Sequence, residues 1–173
     1  NARLRTSALR LSRIVSEALF NPLVVRSAQH LGPDLGVPPH FLTVLFLVED
    51  KRFLIHPGVD PFAIARALFS RLTSTAVVQG GSTITQQLHN IRRGKERHGG
   101  RRNVAYKIRQ AAWAFGKEAV ESKTTILEEY LRSAYFGRRF YGIDRASEGY
   151  FESTRSTLTV AQGFFLVDRL SRP

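Results

Sequence analysis

The groups best placed to do chemistry stand in residues 48–60, VEDKRFLIHPGVD, which set Glu49, Asp50, Lys51, Arg52, His56 and Asp60 directly behind an apolar run. The edge of an apolar element is where the pKa of a carboxylate can rise towards neutrality, which suits a general base. Glu49 is the first candidate. The same spacing also fits a plainer role, in which Glu49 ends a helix and pairs with Arg52. A second run, QGGSTITQQL at residues 79–88, joins two glycines to a series of neutral hydrogen-bonding side chains, Ser82, Thr83, Gln86 and Gln87. The glycines allow close backbone approach, and a helix starting there turns its free N–H groups towards an anion. No Gly-Lys-Ser/Thr follows, so the run is not a P-loop. A capped helix with a polar face is the plainer alternative.

A third run, residues 91–109, carries Arg92, Arg93, Lys95, Arg97, Arg101, Arg102, Lys107 and Arg109 against Glu96 alone. The generic partner of such a run is nucleic acid. Aromatic residues are not interleaved and no reader motif is present, so nucleic acid is not the expected partner. A solvated charge run is the other reading. Residues 122–137, SKTTILEEYLRSAYFG, and the YGIDRASEGYF that follows read as scaffold: a capped amphipathic helix, a glycine stop and aromatic packing.

The elements that must position these groups are mostly helical. Residues 3–20 carry Leu4, Ala8, Leu11, Val15 and Ala18 on one stripe, with Arg3, Arg5, Arg10 and Arg13 crowding the first turns. That fits either a membrane-surface helix or a core-packing helix with a solvated face. Pro22, Gly32, Pro33, Gly36, Pro38 and Pro39 then predict a loop. FLTVLFLVED predicts a helix ending in two acids. Asp60 and Pro61 predict an N-cap and first helical position, followed by Phe62, Ala65, Leu68, Phe69 and Leu72 at helical spacing. Ser82 or Thr83 can cap the next helix, Asn103 one running to about residue 121, and Ser122 another. Thr159 with Gln162 fits a capping box. The expected class is mainly α, with a basic amphipathic arm and loop at 1–37 and a globular domain at 38–173.

Composition bounds the partner and the chemistry. The chain has 173 residues, 26 Lys and Arg against 14 Asp and Glu, and a formal net charge of +12, which calls for an anionic partner. The absence of cysteine excludes a disulfide framework, a thiolate nucleophile and cysteine-based zinc sites. The absence of methionine even at position 1 points to a processed or trimmed chain. The longest apolar stretch, residues 41–48, is far short of the ~20 residues a spanning helix needs.

Taken in order, these runs resemble the peptidoglycan glycosyltransferases, family 51 of the glycosyltransferases. The first family motif, E-D-x-x-F-x-x-H-x-G-x-D, stands at Glu49, Asp50, Phe53, His56, Gly58 and Asp60, and G-G-S-T-I-T-Q-Q stands complete at residues 80–87. The later S-K-x-x-I-L-E-x-Y-L and Y-F-G are at 122–131 and 135–137. The likeness covers roughly residues 38–165. It implies a lysozyme-like, two-lobed helical domain with a long cleft, acting at the extracytoplasmic face of the bacterial plasma membrane. It also implies an N-terminal membrane anchor, which is expected to have been lost from a trimmed chain. The implied partners are lipid II, the nascent glycan strand and the membrane surface. The implied reaction is glycosyl transfer with inversion. Glu49 matches the catalytic glutamate, and the position of Gln110 the second acidic residue. Substrate-binding positions fall on Asp50, Arg52, Phe53 and His56, on Ser82, Thr83, Gln86 and Gln87, and on the basic Arg102 and Lys107. A divalent cation, magnesium or manganese, is implied by the resemblance alone, and no metal-ligating residue is assigned.

The likeness has departures. The third motif, R-K-x-x-E, stands here as Tyr106, Lys107 and Gln110, and the lysine after Gln-Gln is replaced by Asn90. Arg132 stands for asparagine, Gln162 for glutamate, and the loop before Arg102 is longer. Glutamine keeps shape and hydrogen bonds but cannot carry charge or move a proton. Glu118, eight residues on, lies about 12 Å further along a helix and does not replace it. Three outcomes stay open: a polymerase of reduced rate, a non-catalytic homologue binding lipid II or glycan, and a lysozyme-like glycan-cleaving enzyme. The last needs only one glutamate acid, but the Gly-Gly-Ser-Thr-Ile-Thr-Gln-Gln run argues against it.

Overall fold

The computed structural model describes residues 12, 14, 16–18, 21–72, 81–94 and 104–171. These are mainly helical, as expected, and no strand is formed among them beyond one isolated bridge between Tyr135 and Tyr141. The chain divides into two compact units, residues 1–51 with 134–173, and residues 52–133.

The first unit holds α1 (Pro22–Asp34), α2 (Pro39–Glu49), α7 (Ile143–Phe151), a 3-10 turn (Arg155–Thr157) and α8 (Val160–Ser171). Its centre is the apolar α2, whose Phe41, Leu42, Leu45 and Phe46 are buried between α1 and α8. Leu158, Leu166 and Val167 are buried in the same unit. Thr159 and Gln162 form the predicted reciprocal cap at the start of α8. The loop predicted from Pro22 to Pro39 is instead largely α1. Its prolines and glycines mark helix ends rather than a break: Pro22 begins the helix with a preset φ, and Pro33 sits in the last turn. Gly36, at φ 60°, reverses the chain beyond it. The cause is tertiary, because Val24, Ala28 and Leu31 recur at helical spacing and are buried where α1 packs on α2. Of the expected amphipathic helix at 3–20, residues 12, 14 and 16–18 are helical and Glu17 accepts a hydrogen bond from Lys51 at 2.5 Å. The rest of that stretch lies outside the described residues.

The second unit holds α3 (Pro61–Leu72), α4 (Ile84–Arg92), α5 (Val104–Val120) and α6 (Lys123–Ser133). α4 packs on both α5 and α6, burying Ile84, Leu88, Ala114, Ile126, Leu127 and Tyr130. Each start that the sequence offered a cap for, and that is described, is capped. Asp60 accepts from the Phe62 N–H at 3.0 Å, and Ser122 from the Thr125 N–H at 3.1 Å. Thr83, rather than Ser82, caps α4. Asn103 lies outside the described residues. In α3, Phe62 and Phe69 are both 66% exposed and Ala63 is buried. Among the described residues no helix is long and apolar enough to cross a membrane.

Candidate functional site

Glu49 is the last residue of α2 and Asp50 follows it, buried, with its N–H bonded to the Phe46 carbonyl at 3.0 Å. Both belong to the first unit. From Arg52 the chain enters the second unit, where Arg52 grips Asp60 with two hydrogen bonds, Nη2 to Oδ1 at 2.7 Å and Nε to Oδ2 at 3.2 Å. Its guanidinium also lies 4.0 Å from the centre of the Phe62 ring. The fork of Arg52 is therefore set on Asp60. Burial by itself would raise the Asp60 carboxyl, but the hydrogen bonds from Arg52 and from the Ala63 and Phe62 N–H groups outweigh it and hold the pKa below the ordinary value.

The segment between Arg52 and Asp60 is held as a unit. His56 Nδ1 accepts the Gly58 N–H at 3.1 Å, and its ring meets Phe53 edge-on at 6.2 Å. Phe53 is 1% exposed and anchors the segment in the core. Gly58 has φ 94° and backs onto α5 so closely that a Cβ there would stand 2.5 Å from the Ala114 carbonyl oxygen. The Gly58 carbonyl accepts from Thr83 Oγ at 2.6 Å, and the His56 carbonyl accepts from Lys123 Nζ at 2.7 Å. One hydroxyl and one ammonium thus tie the first motif to α4 and α6.

Thr83 also closes a capping box at α4: its oxygen accepts the Gln86 N–H while Gln86 Oε1 accepts the Thr83 N–H. Just before this helix start, Ser82 Oγ accepts from Lys107 Nζ at 3.0 Å, and the same ammonium donates to Gln110 Oε1 at 3.0 Å. Lys107 and Gln110 share one face of α5, as their spacing predicts. Gln110 is wholly buried, and its Nε2 donates to the Gln86 carbonyl and to Asn90 Oδ1, both at 2.8 Å. The Tyr106 hydroxyl donates to the same Asn90 oxygen. Glu118 is engaged elsewhere: its carboxylate accepts from Thr85 and from Lys123, the latter at 2.6 Å. A fixed ammonium beside the N-terminus of a nine-residue helix is a setting for an anion, since both ends of the arrangement are electropositive.

That cluster does not fit a divalent cation. Hard cations take several oxygen ligands, usually carboxylates, whereas here an ammonium lies 3.0 Å from both the Ser82 hydroxyl and the Gln110 amide oxygen. Among the described residues no group of three or more His, Cys, Asp or Glu could hold a metal ion.

Within the second unit the structure gathers Ser82, Thr83, Gln86, Lys107 and Gln110 around the start of α4, and ties Arg52, Phe53 and His56 to it through Gly58. Gln87 turns the other way and accepts from the Tyr130 hydroxyl at 2.9 Å. Arg102 lies outside the described residues. Sequence reasoning gave no role to Lys123, which holds the His56 carbonyl and Glu118 and stands 4.6 Å over the Phe53 ring. The available signal was its position: a lysine in the first turn opposes the helix dipole, so something else must hold it there.

Comparison with known proteins gives the arrangement its relatives. A family model described as Transglycosylase matches residues 24–173. Penicillin-binding protein 1A of Haemophilus influenzae is 37% identical over 127 residues, 73% of this chain and 14% of that protein. Penicillin-binding protein 1F of Bacillus subtilis is 37% identical over 131 residues, 75% of this chain and 18% of that one. Penicillin-binding protein 1A of Escherichia coli is 39% identical over 125 residues, 72% and 14%. The chain spans less than a fifth of the length of these curated relatives.

Proposed function

The chain belongs to the transglycosylase family, and from that premise we infer that it is a peptidoglycan glycosyltransferase domain working on lipid II and the nascent glycan strand at the extracytoplasmic face of the membrane. The observation that carries this reading is the Lys107 ammonium, held at 3.0 Å on Ser82 next to the capped start of the second-motif helix. A leaving diphosphate gains negative charge in the transition state, and a preorganised cation with nearby helix N–H groups stabilises that charge. Lys107 and Ser82 take this role, joined by Arg102 from its motif position.

In the reaction, the 4-hydroxyl oxygen of lipid II attacks the anomeric carbon of the growing strand. Its proton passes to Glu49, the bond to the polyprenyl diphosphate breaks with the electron pair on the diphosphate, and the anomeric centre inverts. Asp50, Arg52, Phe53 and His56 take the substrate-binding positions of the first motif, with Arg52 and Phe53 held in their own unit through Asp60 and the core. Thr83 and Gln86 set the start of α4, and Gln87 fixes its far face to α6. Gln110 moves no proton, so turnover is slower than in a site with two carboxylates.

That same neutral residue favours a second reading, a homologue that binds lipid II or glycan strands without polymerising them. One experiment separates the two. Purified lipid II is incubated with the wild-type chain and with Glu49→Gln, and strand length and lipid II binding are both measured. Slow polymerisation abolished by Glu49→Gln supports the transferase. Binding by both proteins with no polymer supports the binder. Absence of both, or soluble fragments released from cell-wall sacculi, refutes the reading.

A further inference from the structure

Gln110 is wholly buried, and every polar atom of its side chain is used. The direction of each bond is forced from the two ends. Lys107 can only donate, so the atom facing it is the amide oxygen. The Gln86 backbone carbonyl can only accept, so the atom facing it is the amide nitrogen. The second hydrogen of that nitrogen points at Asn90, whose facing atom must then be its oxygen. Tyr106, sharing that oxygen, must donate. Position 110 therefore asks for an acceptor towards Lys107 and a donor towards the Gln86 carbonyl, while the Asn90 amide can turn to suit either. A glutamine supplies both, and a carboxylate lacks the donor.

We propose that Gln110 is a positioning residue that works as an amide: it holds the Lys107 ammonium on Ser82, and the Gln86 carbonyl makes a carboxylate at 110 incompatible with that hold. A carboxylate there sets an oxygen against the Gln86 carbonyl with no hydrogen between them. It also draws the ammonium away from Ser82. The replacement of glutamate by glutamine is thus matched to its surroundings, and Gln110→Glu by itself weakens the site rather than improving it. What Lys107 then binds rests on the reading above; the demand for an amide does not.

The test compares the wild-type chain with Gln110→Glu, Gln110→Met, Lys107→Ala and the Gln110→Met/Lys107→Ala double variant. Affinity for fluorescent lipid II in detergent micelles and the thermal unfolding midpoint are read for each. Both single changes at Gln110 are expected to raise Kd about tenfold, the effect of one lost charge-assisted hydrogen bond. In the Lys107→Ala background Gln110→Met should change Kd less than about twofold, since Gln110 acts through Lys107. A merely structural role would weaken binding equally with and without Lys107, and that result overturns the proposal. So does a Gln110→Glu protein that binds as tightly as wild type. If a Gln110 variant does not fold, Ser82→Ala releases the Ser82 hold on the ammonium and should give the same tenfold loss; unchanged affinity overturns the proposal. If wild type binds no lipid II, the functional reading fails, while the midpoints still decide the amide requirement. Gln110→Glu should then melt at least about 4 °C lower, and an equal or higher midpoint overturns it.

Discussion

Thr83 is the residue on which the joint between the first two motifs turns, and Thr83→Val isolates its hydroxyl. That oxygen accepts the Gln86 N–H at 3.2 Å as a helix cap and donates to the buried Gly58 carbonyl at 2.6 Å. Loss of the cap costs about 1 kcal/mol. Leaving a buried carbonyl without its donor costs about 1–3 kcal/mol. Valine also brings a methyl group to a point where only a hydrogen-bonded oxygen fits, so no compensating contact is gained. The sum is about 2–4 kcal/mol, and for a chain of this size each kcal/mol lowers the melting midpoint by about 2–4 °C. Calorimetry should therefore show Thr83→Val melting about 5–15 °C below wild type. Thr83→Ser, which keeps both hydrogen bonds and loses one methyl, should stay within about 1 kcal/mol of wild type. A Thr83→Val midpoint within about 2 °C of wild type would refute the idea that this hydroxyl ties the segments together.

Gly58→Ala and Gly94→Ala form a second pair, both glycines having left-handed φ, 94° and 63°. Gly94 has open space around it, so alanine there should cost only about 1–2 kcal/mol in urea unfolding. A Cβ on Gly58 would stand 2.5 Å from the Ala114 carbonyl oxygen, so its substitution should cost several times more or prevent folding. Lys123→Met should destabilise by about 3–5 kcal/mol, because Glu118, 4% exposed, would keep only Thr85 as its donor; equal urea midpoints would contradict this. On acidification, Asp60 and Glu129 both lose stabilising contacts. In each, burial pushes the pKa up, but hydrogen bonds from Arg52, or from Arg92 and Lys117, hold it below the unfolded value. Their contribution is therefore complete above about pH 4–5 and is lost as the pH falls through the folded values. Asp60→Asn should flatten the fall in urea midpoint between pH 5 and pH 3, and parallel curves for the two proteins would count against it.

Much of the local structure is legible in the residues because its determinants are local. The caps at Asp60, Thr83, Ser122 and Thr159 each need a side chain and a backbone N–H two or three positions away. The apolar run ending at Glu49 reads as a helix for the same reason, and the two complete motifs identify the family before any distance is known. Where local signals misled, packing had overruled them. Pro22, Gly32, Pro33 and Gly36 look like a loop, but the apolar face of Val24, Ala28 and Leu31 has a helix to pack against.

By itself the sequence determined the helical class, the capped helix starts at Asp60, Thr83, Ser122 and Thr159, the concentration of positive charge between residues 91 and 109, and the family. Only the tertiary structure decided what the departures from that family mean. Asn90, Tyr106 and Gln110 lie on two different helices, and as residues in a row they are three unrelated substitutions. Packed together, α4 and α5 make them one neutral hydrogen-bonded set with Lys107 at its edge. Lys123 likewise gains its role only from partners up to 67 residues away. The physical reason is the same in both cases: a buried polar group must satisfy each donor and acceptor, and which atoms meet it is settled by packing between helices.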